Sequence, residues 1–187
     1  MEEEAIFCVD MTQEKMEKAI RHLEDELIHV RAGKATPSIL DGITVDYYGA
    51  VTPLSQVSNI GTPDAKTIVV QPWEKTMLAV IEKAILYANI GLTPMNNGEI
   101  IRLNIPPLTE ERRRDLVKQV KVMGENTKVS IRNARREANE ELKKLQKAGL
   151  PEDLEIESQE KVQLLTDEYI RKTDVIVTGK EKDIMTV

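Results

Sequence analysis

From Thr109 to Ala148 the chain keeps a helical period for 40 residues, and few folds can house an element that long. Leu116, Val120, Met123, Thr127, Ile131, Ala134, Ala138, Leu142 and Leu145 step by 4, 3, 4, 4, 3, 4, 4 and 3, close to the ~3.6 residues per turn of a straight helix. Thr109 is a plausible N-cap, and Glu110 and Glu111 suit the positive end of the helix dipole. Gly149 and Pro151 stop the run. At ~1.5 Å per residue the segment is a rod of roughly 60 Å. Such a rod cannot bury its apolar stripe alone, so it demands partners of comparable length. Gly124 is its one weak point, at about 1 kcal/mol relative to alanine.

Two other segments supply those partners. Between Thr12 and Val30 the residues Met16, Ile20, Leu23, Leu27 and Val30 form one stripe, which ends at Gly33, a C-cap candidate. From Glu155 to the C-terminal end, Val162, Leu165, Tyr169, Thr173 and Ile176 repeat the pattern, with Gly179 weakening the last turns. Aromatic residues make up only 3% of the chain, so the core is aliphatic, which favours helix-on-helix packing. Three antiparallel helices sharing one seam is the simplest solution.

The stretch between the first two helices has another texture. Ile43, Val45 and Tyr47 alternate with polar residues until Gly49 breaks the strand. Thr67 to Gln71 is a β-branched run ended by Pro72, Glu74 to Ala88 returns to helical spacing, and Glu99 to Ile105 reads as a further strand after the turn at Asn96-Asn97-Gly98. Pro37, Pro53, Pro63, Pro94, Pro106 and Pro107 punctuate the region. The expected organisation is α+β: a discontinuous three-helix antiparallel bundle, residues 1–31 and 105–187, with a small β/α/β domain, residues 32–104, inserted between its first two helices. Arg31, Ala32, Gly33 and Lys34 form the incoming joint, and Asn104, Ile105, Pro106 and Pro107 the outgoing one. Glycine frees one linker and proline stiffens the other, the composition of a hinge.

A formal net charge of −6 argues against nucleic acid until its distribution is resolved. Thr109 to Ala148 holds 12 Lys/Arg against 7 Asp/Glu, while the remainder holds 14 against 25. Lys121, Lys128, Arg132 and Arg135 fall on one stripe about 100° from the apolar seam, with Arg136 further round. Arg112, Arg113 and Arg114 form a second cluster near the outgoing joint. Arginine forks suit phosphate, and a rigid helix face carrying several could dock on folded RNA by shape. The competing reading is a solvated charged face, the commoner condition of long helices. No aromatic platform lies beside the arginines for stacking single-stranded bases.

No catalytic constellation is visible. There is no phosphate-binding glycine loop and no nucleophile elbow, and the carboxylates lie mostly on helix surfaces among lysines. His22 and His29 sit seven apart without a cysteine to join them, so no metal or other cofactor is expected. Cys8, the only cysteine, reads as a buried or half-buried small residue and excludes an intrachain disulfide. Trp73, just after a strand, reads as packing in the small domain's core or rim, with a partner contact as the alternative. The acidic start Met1-Glu2-Glu3-Glu4 is unlike a secretory or transit peptide, and no apolar run approaches the ~20 residues of a membrane span. A soluble cytoplasmic chain is expected.

Specific segments then point further. Arg31-Ala32-Gly33-Lys34-Ala35-Thr36-Pro37-Ser38, Val45-Asp46-Tyr47-Tyr48-Gly49, Gln71-Pro72-Trp73 and Ile90-Gly91-Leu92-Thr93-Pro94 resemble the inserted domain of ribosome recycling factors. Ile101-Arg102-Leu103-Asn104-Ile105-Pro106-Pro107-Leu108-Thr109-Glu110-Glu111-Arg112-Arg113 resembles that family over a long, specific stretch. So do Ile131-Arg132-Asn133-Ala134-Arg135-Arg136 and Leu164-Leu165-Thr166-Asp167-Glu168-Tyr169. The turn Ala148-Gly149-Leu150-Pro151 and Gly179 depart from the family pattern.

The resemblance implies an L-shaped, non-enzymatic, monomeric factor that binds the large ribosomal subunit through ribosomal RNA. It implies action with elongation factor G to split the post-termination complex and release mRNA. It places the main RNA contact at Arg132, with Arg135, Arg136 and Lys128 nearby and Lys121 on the same stripe, and the hinge at Arg31 through Ala35 and Asn104 through Pro107. The alternatives from other classes are a helical adaptor binding proteins through its bundle face, and a chaperone-like helical protein, which lacks the exposed apolar groove it would need.

Overall fold

Long helices near both ends of the chain enclose a run of short strands. The computed structural model describes residues 1–30 and 32–186. In chain order these form α1 (Glu2–Ile28), β1 (Thr44–Tyr47), β2 (Ala50–Pro53), β3 (Ser58–Asp64), β4 (Thr67–Pro72), α2 (Leu78–Tyr87), β5 (Pro94–Asn96), β6 (Ile101–Asn104), α3 (Glu110–Lys147) and α4 (Glu152–Met185). Two compact units result: residues 1–30 with 111–187, and residues 31–110.

In the helical unit the seam is continuous through all three helices. Ala5 packs with Ala138, Leu142, Leu150 and Val162, and Met16 and Ile20 pack with Ile131, Ala134 and Tyr169. These sets fix the directions: α3 runs antiparallel to both others, whereas α1 and α4 run parallel, since residue numbers rise together along them. This is the expected three-helix antiparallel bundle: the chain reverses between α1 and α3 and again between α3 and α4, which leaves α1 and α4 pointing the same way.

Helix α1 also begins ten residues before the expected Thr12. Its early seam is built from Ala5 and Thr12, with Cys8 half-buried beside them, residues too small or polar to signal an apolar stripe. Seam threonines satisfy their hydroxyls on the preceding turn: Thr12 donates to Cys8 O at 2.7 Å, Thr127 to Met123 O at 3.1 Å, Thr166 to Val162 O at 2.8 Å and Thr173 to Tyr169 O at 2.9 Å. Helix α4 continues through Gly179 without a break.

Gly124 has a packing reason. It is buried in α3, and a Cβ built on it would stand 2.6 Å from Val177 Cγ2 on α4. Valine in a helix is nearly confined to one rotamer, so that methyl cannot swing away cheaply. Gly124→Ala is therefore expected to destabilise by about 1 kcal/mol, overpacking outweighing helix propensity. In a Val177→Ala background the same change is expected to stabilise by about 1 kcal/mol, because only the propensity gain remains. Urea unfolding of the four proteins of this cycle reads the sign; equal signs in both backgrounds would refute the close-packing account.

The inserted unit holds a two-stranded hairpin, β1–β2, and a four-stranded antiparallel sheet in the order β3-β4-β6-β5. Strand alternation turns Ile68 and Val70 of β4 and Ile101 and Leu103 of β6 inward, where they form one core with Leu78, Ile81 and Ile85 of α2. The β/α/β expectation thus gains three strands, β2, β3 and β5. They are short or contain Pro53, Pro63, Pro94 and Gly61, and carry little period-two signal. Ile105 belongs to this core as well, so the unit extends past the expected boundary at residue 104.

Candidate nucleic-acid interface

The basic residues singled out from the sequence all project from α3. Because α3 is a single 38-residue helix whose seam is locked by α1 and α4, its remaining faces are held as one rigid surface. Between Arg112 and Arg136 it carries nine Lys/Arg against two Asp/Glu. Its neighbours have the opposite balance: α1 holds nine acidic and three basic residues, and α4 ten and five. The cationic field of the helical unit is therefore confined to α3.

The stripe is not uniform. Lys121 and Arg136 are exposed, Arg132 and Arg135 are half-buried, and none of the four has an acidic partner among the described residues. Lys128 differs. Its side chain is only 17% exposed, and its ammonium pairs with Asp174 of α4 and lies 3.6 Å from Glu125. The hydrogen bond that the Lys128 ammonium donates to Asp174 holds it above its ordinary range against the opposing effect of burial. Sequence spacing groups Lys128 with the arginines; the tertiary fold spends its charge on clamping α3 to α4. Asn133 stays exposed beside the arginines, while Asn139 turns its Oδ1 inward, where it meets no donor among the described residues. Arg132, Arg135 and Arg136 thus offer guanidinium forks without acidic partners among the described residues on a stiff support, a geometry suited to paired hydrogen bonds with phosphate oxygens.

The joint residues are placed as follows. Arg31 lies outside the described residues. Ala32, Gly33 and Lys34 form an irregular segment, and Gly33 has φ +74°, a left-handed conformation that glycine adopts without strain. A Cβ on Gly33 would stand 2.9 Å from Leu108 Cγ, so the two linkers touch. Ala35 and Ile105 are fastened to neighbouring residues of the β3–β4 turn: Ala35 N–H donates to Ala65 O at 2.7 Å and Ile105 N–H to Lys66 O at 2.8 Å. Asn104 is the last residue of β6 and pairs with Thr67. Pro106 and Pro107 are exposed and outside any helix or strand.

Other expectations fare variously. His22 is exposed 3.4 Å from Glu26 and His29 is exposed, and among the described residues no three His, Cys, Asp or Glu side chains gather as metal ligands would. Trp73 is 69% exposed, so of the expected core or rim position it takes the rim. Its neighbours form a cluster that the sequence reading missed: the hydroxyls of Tyr47 and Tyr48 both donate to the Glu74 carboxylate. No helix among the described residues is long and apolar enough to cross a membrane.

Comparisons with known proteins agree with one another. The ribosome recycling factor family model matches residues 23–185. The chain is 55% identical over 187 residues to the ribosome-recycling factor of Flavobacterium johnsoniae, covering 100% of both chains. It is 57% identical over 173 residues to that of Porphyromonas gingivalis, covering 92% of this chain and 93% of the relative. Among solved structures, a ribosome recycling factor in solution superposes with a TM-score of 0.81 at 36% identity, covering 98% of each chain. A second, from T. thermophilus, was described with E. coli elongation factor G on the E. coli post-termination complex; it superposes with a TM-score of 0.64 at 42% identity, covering 97% of this chain and 99% of that one.

Proposed function

The chain belongs to the ribosome recycling factor family of non-enzymatic translation factors, and from that premise we propose that α3 docks it on ribosomal RNA of the large subunit in the cytoplasm. In this reading it acts after termination with elongation factor G, whose GTP hydrolysis drives the subunits apart and frees the mRNA. The observation that carries the reading is the pair Arg132 and Arg135, without acidic partners among the described residues, on a helix whose two neighbours are acidic. Phosphate would supply the missing anions, and the acidic helices would be repelled from RNA, so the charge pattern also sets which face docks. Arg136 and Lys121 widen the contact. Lys128 contributes through its grip on Asp174, which orders the face.

The test is co-sedimentation with purified large ribosomal subunits over a salt series. The log of the affinity is expected to fall linearly with log salt, with a slope of roughly −0.7 to −0.9 for each phosphate engaged. Arg132→Ala is expected to reduce that slope by about 1. Absence of binding by the wild type at low salt would remove the RNA reading in favour of a protein-binding adaptor.

The hinge follows on the same premise. Ala35 and Ile105 are tied to the sheet, so the compliant residues narrow to 32–34 and 106–109. The joint lets one unit turn while the other stays bound. Gly33→Val adds left-handed strain of about 1–2 kcal/mol and pushes on Leu108. It is expected to slow subunit splitting, followed by light scattering, about tenfold or more, with co-sedimentation unchanged. Splitting at the wild-type rate would show that the joint is not where the motion occurs.

A further inference from the structure

In the inserted unit one carboxylate, that of Glu74, is held by two phenols and, among the described residues, by no cation. Glu74 Oε1 accepts from the Tyr47 hydroxyl at 2.9 Å, and Oε2 from the Tyr48 hydroxyl at 2.9 Å. The two rings meet edge to face with centroids 4.7 Å apart. Donation to the carboxylate pushes both phenols above their ordinary range. Glu74 has no basic partner among the described residues, and each of its oxygens keeps a free acceptor site. With Tyr47, Val57, Trp73 and Met77 it lines a pocket of about 350 Å³, over which the largely exposed Trp73 stands.

The backbone gives a second, independent sign. Tyr48 and Gly49 are the two residues connecting β1 to β2, and both have positive φ, +50° and +85°. Such turns take Asn-Gly by preference, because Asn tolerates the left-handed region and bulky side chains do not. A tyrosine here strains the turn, and 81% of it stays in solvent, so its burial does not offset the strain. What it gains is the second hydrogen bond to Glu74. Local strain kept without a packing return marks a functional position.

We propose that this pocket receives a basic side chain, an arginine or lysine, from the protein that acts with this chain on the ribosome. Indole and phenol faces attract a cation, and the clamped carboxylate supplies the counter-charge in a fixed orientation. Exposed Trp and Tyr around one charged anchor is the composition of a binding hot spot. RNA is the poorer occupant, because its phosphates would meet Glu74 with Asp46 close by in the same hairpin. The inference rests on the reading that the partner is elongation factor G.

Light scattering of post-termination ribosomes, with elongation factor G titrated, tests it on the full chain. Trp73→Ala and Glu74→Gln are each expected to raise the half-saturating concentration of elongation factor G about tenfold, leaving co-sedimentation with isolated large subunits unchanged. Tyr48→Asn installs the residue the turn prefers. It is expected to hold or raise the melting temperature while still raising the half-saturating concentration severalfold, a combination that a purely structural role cannot produce. Unchanged half-saturation in all three variants overturns the proposal. Lost co-sedimentation in Trp73→Ala or Glu74→Gln also overturns it, because the patch would then face the ribosome itself. Failure of the wild type to co-sediment removes the ribosome reading, and this inference with it.

Discussion

An Arg132→Glu, Arg135→Glu double variant is expected to lose about a hundredfold or more in affinity for the large ribosomal subunit, with its melting temperature within about 2 °C of wild type. A hydrogen bond to a charged group contributes roughly 1.5–3 kcal/mol, so losing one such contact from each arginine already accounts for about a hundredfold. Charge reversal adds repulsion. Folding is spared because neither residue has an acidic partner among the described residues, so no ion pair breaks. Substitutions off the packed seam usually stay within ~0.5 kcal/mol. Sedimentation at fixed salt and a thermal melt give both numbers. A large fall in melting temperature with binding retained would place these arginines in the structure of the bundle and not at its interface.

One residue earlier the expectation inverts. Ile131→Ala is expected to cost about 2–5 kcal/mol and to lower the melting temperature of the helical unit by roughly 5–15 °C. Ile131 is fully buried, in one cluster with Met16, Ile20, Ala134 and Tyr169 from all three helices, so the cavity cannot collapse by moving any single element. At a temperature where the variant is still folded, its affinity for the large subunit should match the wild type, since Arg132 and Arg135 keep their support. Neighbours along the chain thus divide the labour of one helix, stability from the seam and recognition from beside it. A melting point close to wild type would mean that the seam is not the core it is taken to be.

How far the sequence could be read depended on whether a feature was local. Helix α3 was legible almost to the residue, 110–147 against the expected 109–148, because its periodicity, acidic start and Gly-Pro stop all lie within one stretch. The first turns of α1 were not, because small and polar seam residues leave no hydrophobic signature. The antiparallel bundle, with α1 and α4 parallel, was legible from three stripes of matching period and the two chain reversals between them. The basic stripe was visible as spacing. That Lys128 is committed to Asp174, 46 positions on, was not, since ion pairs across helices depend on helix register. Gly124 read as a flaw and proved to be a contact point, because its reason sits on Val177 of another helix. Around Trp73 the available signal was the Tyr48-Gly49 turn, a tyrosine where hairpins favour asparagine; it passed unnoticed beside the alternation of β1.

The parallel pairing of α1 with α4 also governs when this molecule can fold. The Tyr169 hydroxyl donates to Glu17 at 3.0 Å across 152 positions of chain, among the most remote links in the structure. During synthesis α1 emerges first and waits almost the whole length of the protein for α4. The strands between them have their partners at short range and can fold meanwhile. Once folded, that unit holds Gly33 against Leu108, which shortens the loop that bundle closure must otherwise bridge. The inserted unit can thus fold before the bundle closes, and a nascent chain stopped short of α4 would expose α1's apolar stripe to chaperones and proteases.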